Sequence, residues 1–150
     1  MIYIGADHRG FELKEKIKEK LELHNYEFED LGANEFEPED DYTNFALDVA
    51  QNVSANIQNK GVLLCGTGAG VCIASNKVNG IRAALIDSLG ITKKAREDDD
   101  INILCLPADF IDENLAWELV DIFLNTEFIA NEKHLRRLNK ITEYENNSSN

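Results

Sequence analysis

Apolar positions follow two rhythms along this chain. Ile2–Ala6, 61–65, 81–86 and 101–106 are short runs that are almost wholly apolar, the pattern of strands buried on both faces. Between them the apolar residues recur at helical spacing. Phe11, Leu13, Ile17, Leu21 and His24 mark one face of a first helix, and Lys14, Lys16, Lys18 and Lys20, mingled with glutamates, fall to its solvent side. Segment 26–31 alternates and reads as a half-exposed edge strand closed by Gly32; an acidic loop with Pro38 follows over 34–41. A second helix is predicted over 44–56, burying Phe45, Leu47, Val49, Val53 and Ile57. Shorter helices are predicted over 71–77 and over 88–96, the latter with Ser88 as N-cap. Two more are predicted, over 112–124, burying Leu115, Leu119, Val120 and Phe123, and over 132–144. A polar tail is expected over 146–150.

Five strands alternating with helices imply a parallel sheet, right-handed crossovers and helices on both faces. The expectation is an α/β fold with one domain over 1–145, without linker or internal repeat. In such folds ligands bind beyond the carboxyl ends of the strands, so the loops after Ala6, Cys65, Ile86 and Leu106 are the places to look for chemistry.

Charge narrows the partners. Fifteen Lys and Arg against 28 Asp and Glu leave the 150-residue chain at −13, a surface that repels nucleic acid and anionic membranes. No apolar run approaches the roughly 20 residues that span a bilayer. The first residues enter a strand without a signal peptide's basic start and apolar centre. An odd number of cysteines, three, makes no disulfide framework and suits a reducing compartment. A cytoplasmic protein is expected.

The strongest local signal is Cys65-Gly66-Thr67-Gly68-Ala69-Gly70. Glycines at alternate positions after a strand let backbone N–H groups turn inward around an anion. A cysteine facing those amides would have its thiolate stabilised and could act as base or nucleophile; the alternative is a buried strand cysteine before a tight turn. A cysteine-phosphatase loop would need Arg where Val71 stands, and no Gly-Lys-Ser/Thr phosphate loop is present. Cys72 and Cys105 read as core residues, and no metal-ligand spacing is evident. Asp7-His8 closes the first strand, either for acid–base work and anion contact or with Asp7 as a helix cap. Lys133, Arg137 and Lys140 lie on one helical face and could converge on a phosphate, or simply form a solvated helix end. Residues 97–100 are four consecutive acids, read as a solvated turn.

Taken together, Ile4-Gly5-Ala6-Asp7-His8-Arg9-Gly10-Phe11-Glu12-Leu13-Lys14, Asp41-Tyr42, the Cys65 loop and the run from Ile73 to Ala84 resemble the ribose-5-phosphate isomerase B and galactose-6-phosphate isomerase family. The resemblance spans nearly the whole chain. It implies a Rossmann-like three-layer α/β/α sandwich with a five-stranded parallel sheet. It also implies a homodimer, or dimer of dimers, whose active sites draw on both chains, and metal-free, cofactor-free isomerisation of a small sugar phosphate in the pentose phosphate pathway. In that reading Cys65 is the base of a cis-enediolate mechanism, and Gly66, Gly68, Ala69 and Gly70 form the anion hole. Thr67 and Asp7 lie near ring opening. His8, Lys133 and Arg137 match phosphate-contacting positions. The chain departs from the family pattern at Asp98, where a ring-opening His is usual, at Asp99 for a substrate-binding Asn, and at Asp109 for a phosphate-gripping Arg. Asp109 is thus expected to repel the substrate's phosphate. A subunit of a heteromeric galactose-6-phosphate-type isomerase and a non-catalytic sugar-phosphate-binding homologue are the alternative readings.

Overall fold

The computed structural model describes residues 1–148. Strand β1 (Ile2–Ala6) leads to α1 (Phe11–Leu23), β2 (Phe28–Asp30) to α2 (Tyr42–Ser54), and β3 (Lys60–Cys65) to α3 (Ala69–Ser75). Then β4 (Ala83–Leu85) leads to α4 (Leu89–Asp99), β5 (Ile103–Pro107) to α5 (Glu113–Asn125), and α6 (Glu132–Ser148) closes the described chain. All ladders are parallel, in the order β2-β1-β3-β5-β4. The sheet and its two helical layers match the expected Rossmann-like sandwich, and the segment read as an edge strand is the edge strand β2.

Side-chain alternation sorts the core into two halves. Val62, Leu64, Leu104 and Leu106 join Ile17 and Leu21 of α1 and Leu119, Val120 and Phe123 of α5 on one face. Leu63, Cys65, Ile103 and Cys105 join Ala46, Val49, Ala50 and Val53 of α2 and Val71 and Ala74 of α3 on the other. The helix ends are where the sequence pattern misleads. Ile57 lies beyond α2 and is exposed, while Phe45 and Leu47 are only half-buried, because the helix turns its small residues, Ala46 and Ala50, to the sheet. Ser88 precedes α4 but its side chain makes no capping bond. The expected polar tail from 146 is helical as far as Ser148, and the last two residues of that tail lie outside the described residues. The acids over 97–100 form the last turn of α4 rather than a loop, Asp100 ending it in the left-handed region.

The edge strand β4 has a side-chain neighbour on its open side. The Asn76 amide accepts from the Ala83 N–H (3.0 Å) and donates to the Ala83 carbonyl (2.9 Å). On the inner side, Asn102, just before β5, accepts from Arg82 N–H (2.8 Å) and donates to the Gly80 carbonyl (2.8 Å), extending the β4–β5 pairing.

Lys14 overturns its reading as a solvent-side residue: its side chain is 0% exposed. Its Nζ donates to both Asp30 carboxylate oxygens (2.8 and 2.6 Å) and to the Ala33 carbonyl (2.7 Å), tying α1 to the end of β2. Lys18 adds a second cation at 2.7 Å from Asp30. Burial raises the Asp30 pKa, but the bonds from Lys14, Lys18 and the Gly32 N–H outweigh it and hold the group below its ordinary value. A carboxylate with a depressed folded pKa contributes stability above its unfolded pKa and loses it as pH falls through the folded one. Asp30 therefore supports the fold above about pH 4 and ceases to do so on further acidification. Removing Lys14 leaves Asp30 with the less buried Lys18 as its one cation and takes a bond from the Ala33 carbonyl. Lys14→Met is therefore expected to cost about 3 kcal/mol in urea unfolding at pH 7, with a smaller loss near pH 2. An unchanged midpoint at pH 7 would show that Lys18 alone neutralises Asp30.

Candidate active site

Cys65 ends β3 at the carboxyl edge of the sheet, and alternation turns its side chain toward α2 and α3. The thiol is buried, and Sγ accepts the Gly68 N–H at 3.2 Å. The loop that supplies this amide is fixed from both sides. Beyond β5 the ladder continues: Ala108 N–H donates to the Cys65 carbonyl (2.9 Å) and Asp109 N–H to the Gly66 carbonyl (3.0 Å). Gly68 has φ +72°, and a Cβ there would stand 2.4 Å from Leu85 Cδ1 and 3.1 Å from Leu106 backbone; only glycine satisfies both constraints. Thr67 is exposed at the crest, its Oγ1 accepting the Ala69 N–H at 3.4 Å. Thr67 also lines a cleft of about 390 Å³ with Leu85, Asp87, Pro107 and Phe110. Gly70 lies within α3, facing the ring of Tyr42 at the start of α2.

The end of β1 brings Asp7 and His8 to the same edge. Asp7 Oδ1 accepts both the Arg9 and Gly10 N–H groups at 3.0 Å, closing the turn before α1; it does not cap the helix, whose N-cap is Gly10 without a side-chain capping bond. Burial raises the Asp7 pKa, against the Gly10 N–H and the His8 ring, which lower it; the charge of Asp40 adds to the rise. His8 Nδ1 lies 2.7 Å from Asp40 Oδ1, which also accepts the His8 N–H at 3.1 Å. Asp40 Oδ2 is buried without a hydrogen-bond partner among the described residues. Asp7, His8 and Asp40 each place one ligand-type atom within 4.8 Å of the others, a grouping whose spacing suits a cation. Asp40 sits in the acidic loop, and nothing in the sequence singled it out from its acidic neighbours.

Arg9 is the other residue that sequence reasoning passed over. Its Nη2 donates to Asp109 Oδ2, and its guanidinium lies where a Cβ on Gly66 would be, so the planar group covers that glycine. Asp109 is therefore not the bare repulsive charge expected: a cation from 100 residues earlier neutralises it. Only the three-dimensional register of β1 with β3 and β5 reveals the pair.

The remaining predicted residues lie elsewhere in the chain. Asp98 and Asp99 end α4, which leads into the amino end of β5, whereas Cys65 and Pro107 pair at the carboxyl end. A five-residue strand, roughly 17 Å long, separates the two groups. Asp98 Oδ1 is 3.8 Å from His134 Nε2 on α6. Lys133 and Arg137 are exposed on α6 and make no ion pair among the described residues. Within one chain, then, Cys65, Thr67, Asp7, His8, Gly66, Gly68, Ala69 and Gly70 converge, and Asp98, Asp99, Lys133 and Arg137 do not. A separate cleft of about 480 Å³, lined by Lys60, Arg82, Arg96 and Asp100, also lies at the amino end, away from the thiol.

A thiol beneath an amide loop at the carboxyl edge of a doubly wound parallel sheet defines a class of α/β enzyme that handles small anionic substrates. Residues 2–141 match the family model described as Ribose/Galactose Isomerase. Ribose-5-phosphate isomerase B of Mycobacterium tuberculosis is 35% identical over 144 residues, covering 96% of this chain and 89% of that protein. The crystal structure of ribose-5-phosphate isomerase B from Mycoplasma genitalium with bound ribulose 5-phosphate superposes with a TM-score of 0.93. Its sequence identity is 42%, over 97% of this chain and 95% of that one. The enzyme from Thermotoga maritima gives 0.89 at 44% identity, over 95% and 97%. The chain belongs to the ribose/galactose isomerase family. No helix among the described residues is long and apolar enough to cross a membrane.

The other two cysteines differ from each other. Cys105 is fully buried, and burial pushes its thiol well above the ordinary value. Cys72, expected in the core, is only half-buried. A bond from the Cys105 thiol lowers it to about 7 despite burial, assisted by the Leu85 N–H and Asn76. Thiolate fraction and access together set alkylation rates. Iodoacetamide is therefore expected to label Cys72 before Cys65, at a rate rising through an apparent pKa near 7, and to spare Cys105. Peptide mass spectrometry at graded times would show this order; initial labelling of Cys65 would contradict it.

Proposed function

We propose that this chain interconverts an aldose phosphate and its ketose phosphate, ribose 5-phosphate and ribulose 5-phosphate, with Cys65 as the proton-transferring base. The observation that carries this reading is the Cys65 sulfur held against the Gly68 N–H at the rim of the amide loop. The thiolate removes the C2 proton of the open-chain aldose. The C–H electron pair becomes the C1–C2 double bond, and the carbonyl pair moves onto O1, where the loop amides stabilise it. A proton passes from O2 to O1, and the thiol returns its proton to C1, giving the ketose. Asp7, whose carboxyl is held above its ordinary range by burial, and Thr67 serve the preceding ring opening. His8, positioned by Asp40, contacts the phosphate. The named function of the M. genitalium and M. tuberculosis relatives supports this substrate.

The site is completed by a second copy. Asp98, Asp99, Lys133 and Arg137 stand at the wrong end of the sheet to reach Cys65 of their own chain. Helix α6 carries exposed apolar residues, Leu135 and Ile141 among them, surface that an equivalent chain covers. A homodimer, or a dimer of dimers, places these residues over the neighbouring thiol loop.

Two outcomes follow. Cys65→Ser is expected to lower kcat by about two to four orders of magnitude, measured as ribulose 5-phosphate formation from ribose 5-phosphate, with the thermal midpoint little changed. Full activity would remove Cys65 from the mechanism. Size-exclusion chromatography with light scattering is expected to give twice the chain mass or a multiple of it, and an active monomer would end the shared-site reading.

A further inference from the structure

We propose that Arg9, anchored by Asp109, is a residue with which a chain, beside His8, grips the phosphate of a substrate bound over its own thiol loop. The inference rests on the isomerase reading and adds a specificity residue to it. A guanidinium carries five N–H donors in a rigid plane. Asp109 takes one, on Nη2. Nε and Nη1 make no hydrogen bond among the described residues, and they are the polar atoms nearest the Cβ position of Gly66, 2.4 and 2.7 Å from it. Nε and Nη1 thus stand over the start of the amide loop, while Nη2 reaches Asp109 beyond β5.

The anchor is as well fixed as the loop itself. Asp109 donates its own N–H to the Gly66 carbonyl at 3.0 Å, so the carboxylate that orients Arg9 and the glycine that Arg9 covers move together. At its other end Arg9 follows Asp7 and His8, and its backbone N–H is held by Asp7 at 3.0 Å. A side chain placed from both ends loses little freedom on binding, which favours affinity. The guanidinium is half-exposed, open to a ligand arriving from solvent. Asp109 neutralises part of its charge, yet the remaining N–H groups are free to bond a phosphate's oxygens with charge assistance.

Charge exchange is the test. Arg9→Asp puts two carboxylates at the loop; it is expected to raise KM for ribose 5-phosphate about ten- to hundredfold, with kcat within about threefold. Asp109→Arg alone sets two guanidinium groups against each other and is expected to bring no gain in affinity. The double exchange Arg9→Asp, Asp109→Arg restores an oriented cation and is expected to recover at least a tenth of the lost kcat/KM. Calorimetry with inorganic phosphate on the same purified proteins is expected to show weaker binding to Arg9→Asp and recovery in the double variant. This readout needs no turnover: an unmodified protein that binds phosphate through Arg9 without isomerising ribose 5-phosphate would refute the isomerase reading and leave the grip intact. If Arg9→Asp lowers kcat at unchanged KM, Arg9 acts at the reacting oxygens, and the proposal fails. Unchanged KM and unchanged phosphate affinity in Arg9→Asp would also overturn it, as would a double variant no better than the single one.

Discussion

The parallel register of β3 with β5 is the constraint from which the site follows. Cys65 pairs with Pro107, and the next two amides of the β5 strand continue onto Cys65 and Gly66 after regular strand has ended. That extension holds the loop against the sheet while its glycines turn upward. It fixes where the sulfur sits and which amide faces it. It also brings Asp109, and through it Arg9, to the rim. A change in register of one residue would turn Cys65 from the α2–α3 side of the sheet to the other.

Much of this was legible in the sequence. The strand runs, their order of alternation with helices, and the glycine loop after Cys65 are local patterns, and local patterns determine strand position and loop conformation. What escaped reading was long-range pairing of charge. Lys14 sits in a helix that reads as lysine and glutamate on its wet side, yet Asp30 and the Ala33 carbonyl draw it inside. Nothing local in the sequence links Arg9 to Asp109, since the contact between them depends on β1 and β5 flanking β3 in the sheet. Asp40 escaped for a related reason: an irregular loop carries no period to show which of its acids turns inward. The length of α6 was underestimated because polar residues read as a tail when no packed face disciplines them.

Positive charge is sparse and unevenly committed. In a chain with net charge −13, the carboxyl edge of the sheet keeps Arg9, held by Asp109, while Lys133 and Arg137 project from α6 without an ion pair among the described residues. Other exposed cations, Lys93 and Lys94 among them, are matched to acids on their own helix. Contact between an anion and an exposed guanidinium such as that of Arg9 is screened by salt, so affinity resting on it falls with ionic strength.

The side-chain neighbour of β4 restricts how copies of this chain can meet. A bare edge strand offers its N–H and C=O groups to any passing chain and invites open-ended stacking. Here the Asn76 amide occupies both backbone groups of Ala83 on the open side, standing in for one residue of an absent sixth strand. The far edge, β2, is only three residues long and ends in Asp30, whose charge is committed to α1. With one margin capped by a side chain and the other so short, growth of the sheet from molecule to molecule is disfavoured. The helix faces are the broader surfaces, and contacts through fixed shapes of that kind favour a finite particle over a fibre.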